Sequence, residues 1–211
     1  MIAKSLVRLL LLFAFLASGI AFADQTGPDA MVKDVTGQVL SILRQDKGIQ
    51  SGNRQRAMSV IERTVAPHFD FTRMTSLAVG RAWRQADEGQ RQALTAAFRT
   101  LLVRTYANAL VSYRNQTVSF KPSAQRATAD EVVVHSQINQ PGGQPIALDY
   151  SLAKAQGDWK VFDVAIAGVS LVTNYRASFA SELAHSGVDG LVKSLQEKNR
   201  RLEGPSHEAA S

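Results

Sequence analysis

The chain has 211 residues, no cysteine and a formal net charge of +6. The absence of cysteine excludes a disulfide framework, a thiol nucleophile and a cysteine-linked lipid anchor, so packed apolar side chains must stabilise the fold. The length suits one domain with a substantial core. The mildly basic charge would suit an anionic membrane surface or an acidic partner, but it identifies neither.

The N-terminus has the pattern of a secretory signal peptide. Lys4 and Arg8 precede an uncharged apolar run over residues 9–20, and Ala21-Phe22-Ala23 is a small-x-small cleavage site. Because the run is short for a bilayer span, we predict cleavage after Ala23 rather than a retained anchor. The mature chain of about 188 residues would then be soluble and exported, and export argues against nucleic acid as a partner.

Helical periodicity begins at Pro28, and three helices are predicted before Gly80. Their apolar positions are, in order, Val32, Val35, Val39 and Ile42, then Met58, Ile61 and Val65, then Met74, Leu77 and Ala78. The longest helix follows, with Asp87 as its N-cap and Gln90 completing a capping box. An apolar stripe then continues to about Tyr113, which gives a helix of about 25 residues and roughly 37 Å.

From residue 117 the apolar period changes from helical to alternating, as in strands. Short turns separate the alternating segments, which predicts an antiparallel meander. The four predicted strands are Thr117–Lys121, Glu131–Ile138, Ile146–Leu152 and Trp159–Ala167.

The last of these strands passes through Gly168 into another helix. Ser170 is its predicted N-cap, and the helix should continue to about His185 and stop at Gly187. A final helix over residues 189–202 has a basic end, and residues 204–211 are predicted to be a disordered tail. We therefore predict an α+β fold, with one domain over residues 24–203 whose helices cover one face of a curved four-stranded antiparallel sheet.

Most catalytic and metal-binding signatures are absent. The four histidines, at positions 68, 135, 185 and 207, lack metal-ligand spacing, and there is no nucleophile elbow, phosphate-binding loop or dinucleotide fingerprint. We predict no catalytic residue, no metal site and no cofactor. Asp163, in an otherwise apolar strand, is either a perturbed carboxylate or a structural acid that binds an arginine or backbone amides.

Two blocks of sequence resemble a known family. The first runs from Gly80 and Trp83-Arg84 through Gln90-Arg91 to Arg104-Thr105-Tyr106-Ala107. The second contains Tyr150, Trp159-Lys160-Val161-Phe162-Asp163-Val164, Gly168-Val169-Ser170-Leu171-Val172 and Asn174-Tyr175-Arg176. In order and spacing these blocks resemble the MlaC, or toluene-tolerance, family of periplasmic phospholipid-binding proteins. A related subfamily associated with hopanoid biosynthesis shares this fold and remains an alternative.

The resemblance implies an NTF2-like sheet wrapped by helices, with an apolar cavity between them that holds a phospholipid as cargo. It also implies a carrier in the periplasm that maintains outer-membrane lipid asymmetry. Its partners would be an outer-membrane lipoprotein–porin complex and an inner-membrane ABC transporter complex with an MCE-domain protein.

On this reading we expect seven residues to line the pocket: Leu101, Val134, Leu148, Tyr150, Val164, Val169 and Tyr175. Arg104 and Arg176 would neutralise the phosphate or orient the mouth, or else would form salt bridges to Asp163 or another acid.

Two other classes of function remain open at this stage. An isomerase or dehydratase in an NTF2-like cavity would need Asp163 or Asp149 as general base near His135, so these groups would have to converge in one pocket. A ligand-free interaction module would use the basic final helix, and its core would be filled.

Overall fold

The computed structural model of the chain describes residues 27–121 and 130–203. The predicted signal peptide, residues 1–23, and the predicted tail, residues 204–211, lie outside this part. The helices are α1 Pro28–Gln45, α2 Lys47–Gln50, α3 Arg54–Val60, α4 Phe71–Val79, α5 Arg81–Gln85, α6 Glu88–Val111 and α7 Leu171–Glu203. A π-helical turn, Ile61–Val65, and a 3-10 turn, Ala66–His68, extend α3. None of the helices in the described part is long and apolar enough to cross a membrane.

The sheet has five antiparallel strands in sequence order: β1 Thr117–Phe120, β2 Glu131–Asn139, β3 Ile146–Ala155, β4 Asp158–Ile166 and β5 Val169–Ser170. The α+β class is confirmed, but the prediction of four strands was one too few. Ala167 (φ 51°) and Gly168 (φ 82°) form a two-residue hairpin turn, in which both residues have positive φ. Val169 therefore folds back onto Ile166, and Ser170 onto Ala165.

Local signals set the ends of the main helices as predicted. The Asp87 side chain accepts a hydrogen bond from the Gln90 amide (2.8 Å), and the Gln90 side chain accepts one from the Asp87 amide (3.1 Å), which completes the capping box of α6. In α7, Gly187 has a non-helical conformation (φ 67°, ψ −165°), so the helix consists of two segments joined at a kink. The predicted helix stop at Gly187 is this kink.

Asp163 fixes the bend between β4 and α7. Its Oδ1 accepts hydrogen bonds from the amides of Val164 (2.8 Å) and Val172 (3.1 Å), and its Oδ2 accepts one from the Ser170 hydroxyl (2.5 Å). Ser170 Oγ in turn accepts from the Thr173 amide (3.0 Å), as predicted for an N-cap. Asp163 is thus a structural acid that binds backbone amides at the start of a helix.

Three apolar clusters hold these elements together. The first joins α4, α6 and α7 around Met74, Phe98 and Phe179, and the second joins the sheet to α1 around Val134, Leu152 and Val161. The third packs α1, α2 and α3 against the second half of α6, with its buried residues at Leu43, Ile49, Ala57, Val60, Ile61, Val103 and Ala107. Phe69 packs against both of the first two clusters, and the Asp70 amide donates to the Val161 carbonyl (2.9 Å).

We predict that Asp163→Ala lowers the free energy of unfolding by about 2 kcal/mol or more, because it removes a charged acceptor from two amides and a hydroxyl. Asp163→Asn keeps one acceptor oxygen and should cost less. Asp149→Ala is the control, since this acid lies on the exposed face of the sheet and should cost less than about 1 kcal/mol. Urea unfolding measures all three, and equal losses for Asp163→Ala and Asp149→Ala would contradict the assignment.

Candidate functional site

One face of the sheet, which we call the inner face, is apolar and lies under the helices. Strand pairing places Val134 opposite Tyr150 and Tyr150 opposite Val164, and places Leu148 opposite Ile166. The inner face packs against Met31 and Val32 of α1, against Leu171 of α7, and against Phe69, which precedes α4. Its residues are Val118, Phe120, Val132, Val134, Ser136, Ile138, Ile146, Leu148, Tyr150, Leu152, Val161, Val164 and Ile166.

The helices cover the inner face completely at one end of the sheet and only partly at the other. Val134 and Leu152 are fully buried, and Val161 is 2% exposed. Four aliphatic side chains next to the β2–β3 and β4–β5 turns are only half-buried, although they are among the most apolar of the face. We call this end the open end; its residues are Ile138, Ile146, Leu148 and Ile166. An uncovered apolar surface that continues into a buried one can accept an apolar ligand.

A hydroxyl cluster links α1 to the middle of the inner face. The buried Tyr150 hydroxyl interacts with the hydroxyls of Ser136 and Thr36, and Ser136 Oγ donates a hydrogen bond to the Leu148 carbonyl (3.1 Å). Burial raises the pKa of Tyr150, so the phenol stays neutral. Sequence analysis missed Thr36 and Ser136, although a serine in register with valines on a buried face is a signal of such a polar contact.

Two further phenols lie where α6 meets α7. The Tyr175 ring packs edge-on against Phe98, with 4.9 Å between ring centroids, and its hydroxyl interacts with Thr105. Tyr106 lies close to Tyr175, and burial raises the pKa of both phenols. Both side chains are half-buried, so neutral, amphipathic groups border the helical cluster.

The structure divides the seven predicted lining residues into three groups. Val134, Leu148, Tyr150 and Val164 share the inner face, and Leu148 alone among them belongs to the open end. Leu101 and Tyr175 pack in the cluster between α4, α6 and α7. Val169, in β5 beyond the hairpin turn, is 59% exposed.

The two predicted arginines make contacts with the protein itself. Arg104 donates to the Asn199 carbonyl and forms a salt bridge with Glu203 (3.2 Å). Arg176 donates from Nε (2.8 Å) and Nη2 (2.6 Å) to the Leu77 carbonyl, near the C-terminal end of α4. Both guanidiniums therefore neutralise carbonyls at the ends of helices, and neither pairs with Asp163.

Of the groups that an isomerase or dehydratase would need, Asp149 does lie beside His135, but the pair is on the outer face of the sheet and not in a pocket. His135 Nδ1 and Asp149 Oδ1 are 2.8 Å apart, but their side chains are 48% and 35% exposed on the face of the sheet opposite the inner face. The oxygens of Asp163 accept hydrogen bonds from Val164, Ser170 and Val172 instead. Among the residues the structure describes, no group of His, Asp or Glu side chains could hold a metal ion.

Two surface clefts lie at opposite ends of α6. One, of about 440 Å³, contains Trp83 and Arg91 near the start of the helix, together with Glu88. The other, of about 360 Å³, lies beyond its end and is lined by Arg44, Gln50, Tyr113, Arg114 and Asn115. We call the second the arginine cleft. Sequence analysis missed it because its two arginines are far apart in sequence, Arg44 in the last turn of α1 and Arg114 in the loop after α6.

A family model, two relatives and a solved structure all relate this chain to the same family of proteins. The family model described as MlaC protein matches residues 33–197. The intermembrane phospholipid transport system binding protein MlaC of Haemophilus influenzae is 23% identical over 189 residues, covering 88% of each chain. The toluene tolerance protein Ttg2D of Pseudomonas putida is 26% identical over 168 residues, covering 79% of this chain and 77% of its own length.

A solved structure extends the likeness to three dimensions. It is a phospholipid-binding protein from Ralstonia solanacearum in complex with a phospholipid, with a TM-score of 0.78 and 40% sequence identity. The match covers 83% of this chain and 98% of the Ralstonia chain. Family model, relatives and fold agree over nearly all of the described residues, and the chain therefore belongs to the MlaC family.

Proposed function

We propose that the protein is a phospholipid carrier that holds acyl chains between the inner face of the sheet and the helices above it. The observation that carries this proposal is the match to the Ralstonia protein, which was solved with a phospholipid and is 40% identical over 98% of its length. The open end supports it, because it offers aliphatic side chains to an apolar ligand where the helical cover is incomplete.

The energetics of lipid transfer explain why such a protein needs no catalytic group. Two acyl chains contain roughly 30 methylenes, and exposing each to water costs about 0.8 kcal/mol. The total, more than about 20 kcal/mol, prevents an unassisted lipid from crossing water at a useful rate. A dry slot that offsets this cost is sufficient. The exposure of the His135–Asp149 pair on the outer face of the sheet, away from the apolar inner face, favours a carrier over an isomerase or dehydratase.

We propose that the slot widens when lipid is bound. Val134 and Leu101 are buried, so acyl chains can reach them only if a helix moves away from the sheet. The hydroxyl contact between Tyr150 and Thr36 holds α1 over the inner face, and it is the polar contact that such a movement would break. The pocket lining would then be Leu101, Val134, Leu148, Tyr150, Val164, Val169 and Tyr175.

The site of action and the partners follow from the family and remain proposals. Cleavage after Ala23 would place the mature chain in the periplasm, between the two membranes that exchange lipid. There it would collect or deliver phospholipid at an outer-membrane lipoprotein–porin complex and at an inner-membrane ABC transporter complex with an MCE-domain protein. This exchange would maintain the lipid asymmetry of the outer membrane.

We expect the mature protein to co-purify with phospholipid, because the cost of exposing acyl chains makes release into water slow. Native mass spectrometry would show a mass increase equal to one or more phospholipids, and extraction would identify them. A hopanoid in place of phospholipid would support the related subfamily instead. A protein that stayed empty after incubation with phospholipid vesicles would contradict a carrier function.

We predict that Leu148→Trp lowers the amount of bound lipid several-fold, because the indole fills space at the open end. Ala147→Trp is the matched control: Ala147 is the adjacent residue and is exposed on the opposite face of the sheet, so its replacement should leave lipid content unchanged. Phosphorus assay of the purified proteins measures the lipid, and circular dichroism checks the fold. Equal lipid content in the two folded variants would show that Leu148 does not line the slot.

A further inference from the structure

The arginine cleft lies where α1 and α6 end and β1 begins. Arg44 is in the last turn of α1, and Tyr113 and Arg114 come directly after α6. The cleft volume of about 360 Å³ lies within the range of small-molecule sites, roughly 300–1,000 Å³. It is a concave site on the surface, formed by segments that are distant in sequence.

Hydrogen bonds position the two guanidiniums of the cleft but leave several of their N–H groups available. Arg44 Nε donates to the Tyr113 hydroxyl (3.3 Å), which itself donates to the Gln116 carbonyl (3.2 Å). Arg114 Nη1 donates to the carbonyls of Val111 (3.1 Å) and Tyr113 (2.7 Å). Within the described part of the chain, no acceptor binds either Nη group of Arg44. The same is true of Nε and Nη2 of Arg114.

Neither arginine of the cleft has a carboxylate partner among residues 27–121 and 130–203. Other arginines of the protein do: Arg56 pairs with Asp46 (2.9 Å) and Arg73 with Glu131 (2.5 Å). Arg99 pairs with Glu62 and Arg104 with Glu203. The lining of the arginine cleft contains no acid, whereas the cleft at the other end of α6 includes Glu88. Two unpaired guanidiniums in one concavity suit an anion with several oxygens, since each can donate two parallel hydrogen bonds.

The arginine cleft borders the open end of the sheet. Gln116 leads directly into Thr117, which pairs with Asn139, and the next pair is Val118 with Ile138 of the open end. The open end itself is uncharged: residues 136–148 and 164–175 contain no Asp, Glu, Lys or Arg. An amphipathic ligand whose chains lie on Ile138 and its neighbours would therefore find cationic donors beside the mouth rather than within it.

From this arrangement we infer that Arg44 and Arg114 bind the phosphodiester of the lipid headgroup while the acyl chains occupy the slot. The inference rests on the proposed carrier function and adds a phosphate subsite to it. Arg104 and Arg176 are bound to carbonyls of the protein, so they are not needed for this role. The specificity that follows is for lipids that carry phosphate, whatever group is attached beyond it.

The test uses the mature protein and mixed vesicles that contain equal amounts of palmitoyl-oleoyl phosphatidylglycerol and the diacylglycerol with the same chains. Because both lipids share one membrane, its surface charge affects their uptake equally. Mass spectrometry gives the ratio of the two lipids bound to the protein. We expect wild type to favour phosphatidylglycerol, and Arg44→Gln with Arg114→Gln to lower the ratio roughly tenfold while diacylglycerol uptake persists.

The matched control is Arg81→Gln with Arg84→Gln, which removes the same charge at the far end of α6, roughly 36 Å away along the helix. This variant should keep the wild-type ratio. The single variants Arg44→Gln and Arg114→Gln serve if the double variant does not fold, and each should lower the ratio.

An unchanged ratio in the cleft variants, or an equal fall in the control, would overturn the headgroup assignment. Binding of inorganic phosphate that depends on Arg44 and Arg114, without any change in the lipid ratio, would also overturn it and identify a site for a free anion. Wild-type protein that takes up neither lipid would contradict the carrier function itself, which is a separate result.

Discussion

The carboxylate of Asp163 connects the two halves of the structure. It lies on β4, and the hydrogen bonds that it accepts from Val172 and Ser170 fix the start of α7. An acid at a helix N-terminus is favoured by the unpaired amides there. The Asp163 carboxylate therefore links β4, which forms part of the inner face, to the start of α7. The position of that start in turn places the aromatic residues Tyr175 and Phe179 of α7. The junction between sheet and helices therefore depends on a polar contact, although the surfaces that meet there are largely apolar.

Polar and apolar groups have different roles throughout the fold. Hydroxyl and carboxylate contacts join elements that must keep a fixed relation: Asp163 joins β4 to α7, and Tyr150 joins the sheet to α1. Apolar contacts fill the space between those joints and carry no directional preference. A lipid can replace apolar contacts at little cost, because acyl chains pack like aliphatic side chains. It cannot replace the carboxylate at the bend.

Features that depend on a few adjacent residues could be predicted from the sequence. Features that depend on how far the helices cover the sheet could not. The capping box of Asp87 and Gln90, the N-cap of Ser170 and the break at Gly187 each involve a few neighbouring positions, and all were predicted. The two-residue β5 was missed because two residues show no periodicity. The alternation of Leu148 and Tyr150 predicted a common face, but only the positions of α1 and α7 show which end of that face is uncovered. Arg44 and Tyr113, 69 residues apart, carry no sequence signal for each other.

The hairpin that produced β5 also affects how copies of this protein behave at high concentration. A sheet with a long, unpaired outer strand can pair with the same strand of another molecule and begin to aggregate. Here the outermost strands have only four and two residues, β1 and β5. Where β5 ends, the segment at Phe69 and Asp70 lies along β4 and pairs with Val161. In the described part of the chain the outermost strands are thus short, and β4 is partly covered beyond β5. A protein with an uncovered apolar face at one end therefore has only short outer strands for edge-to-edge association.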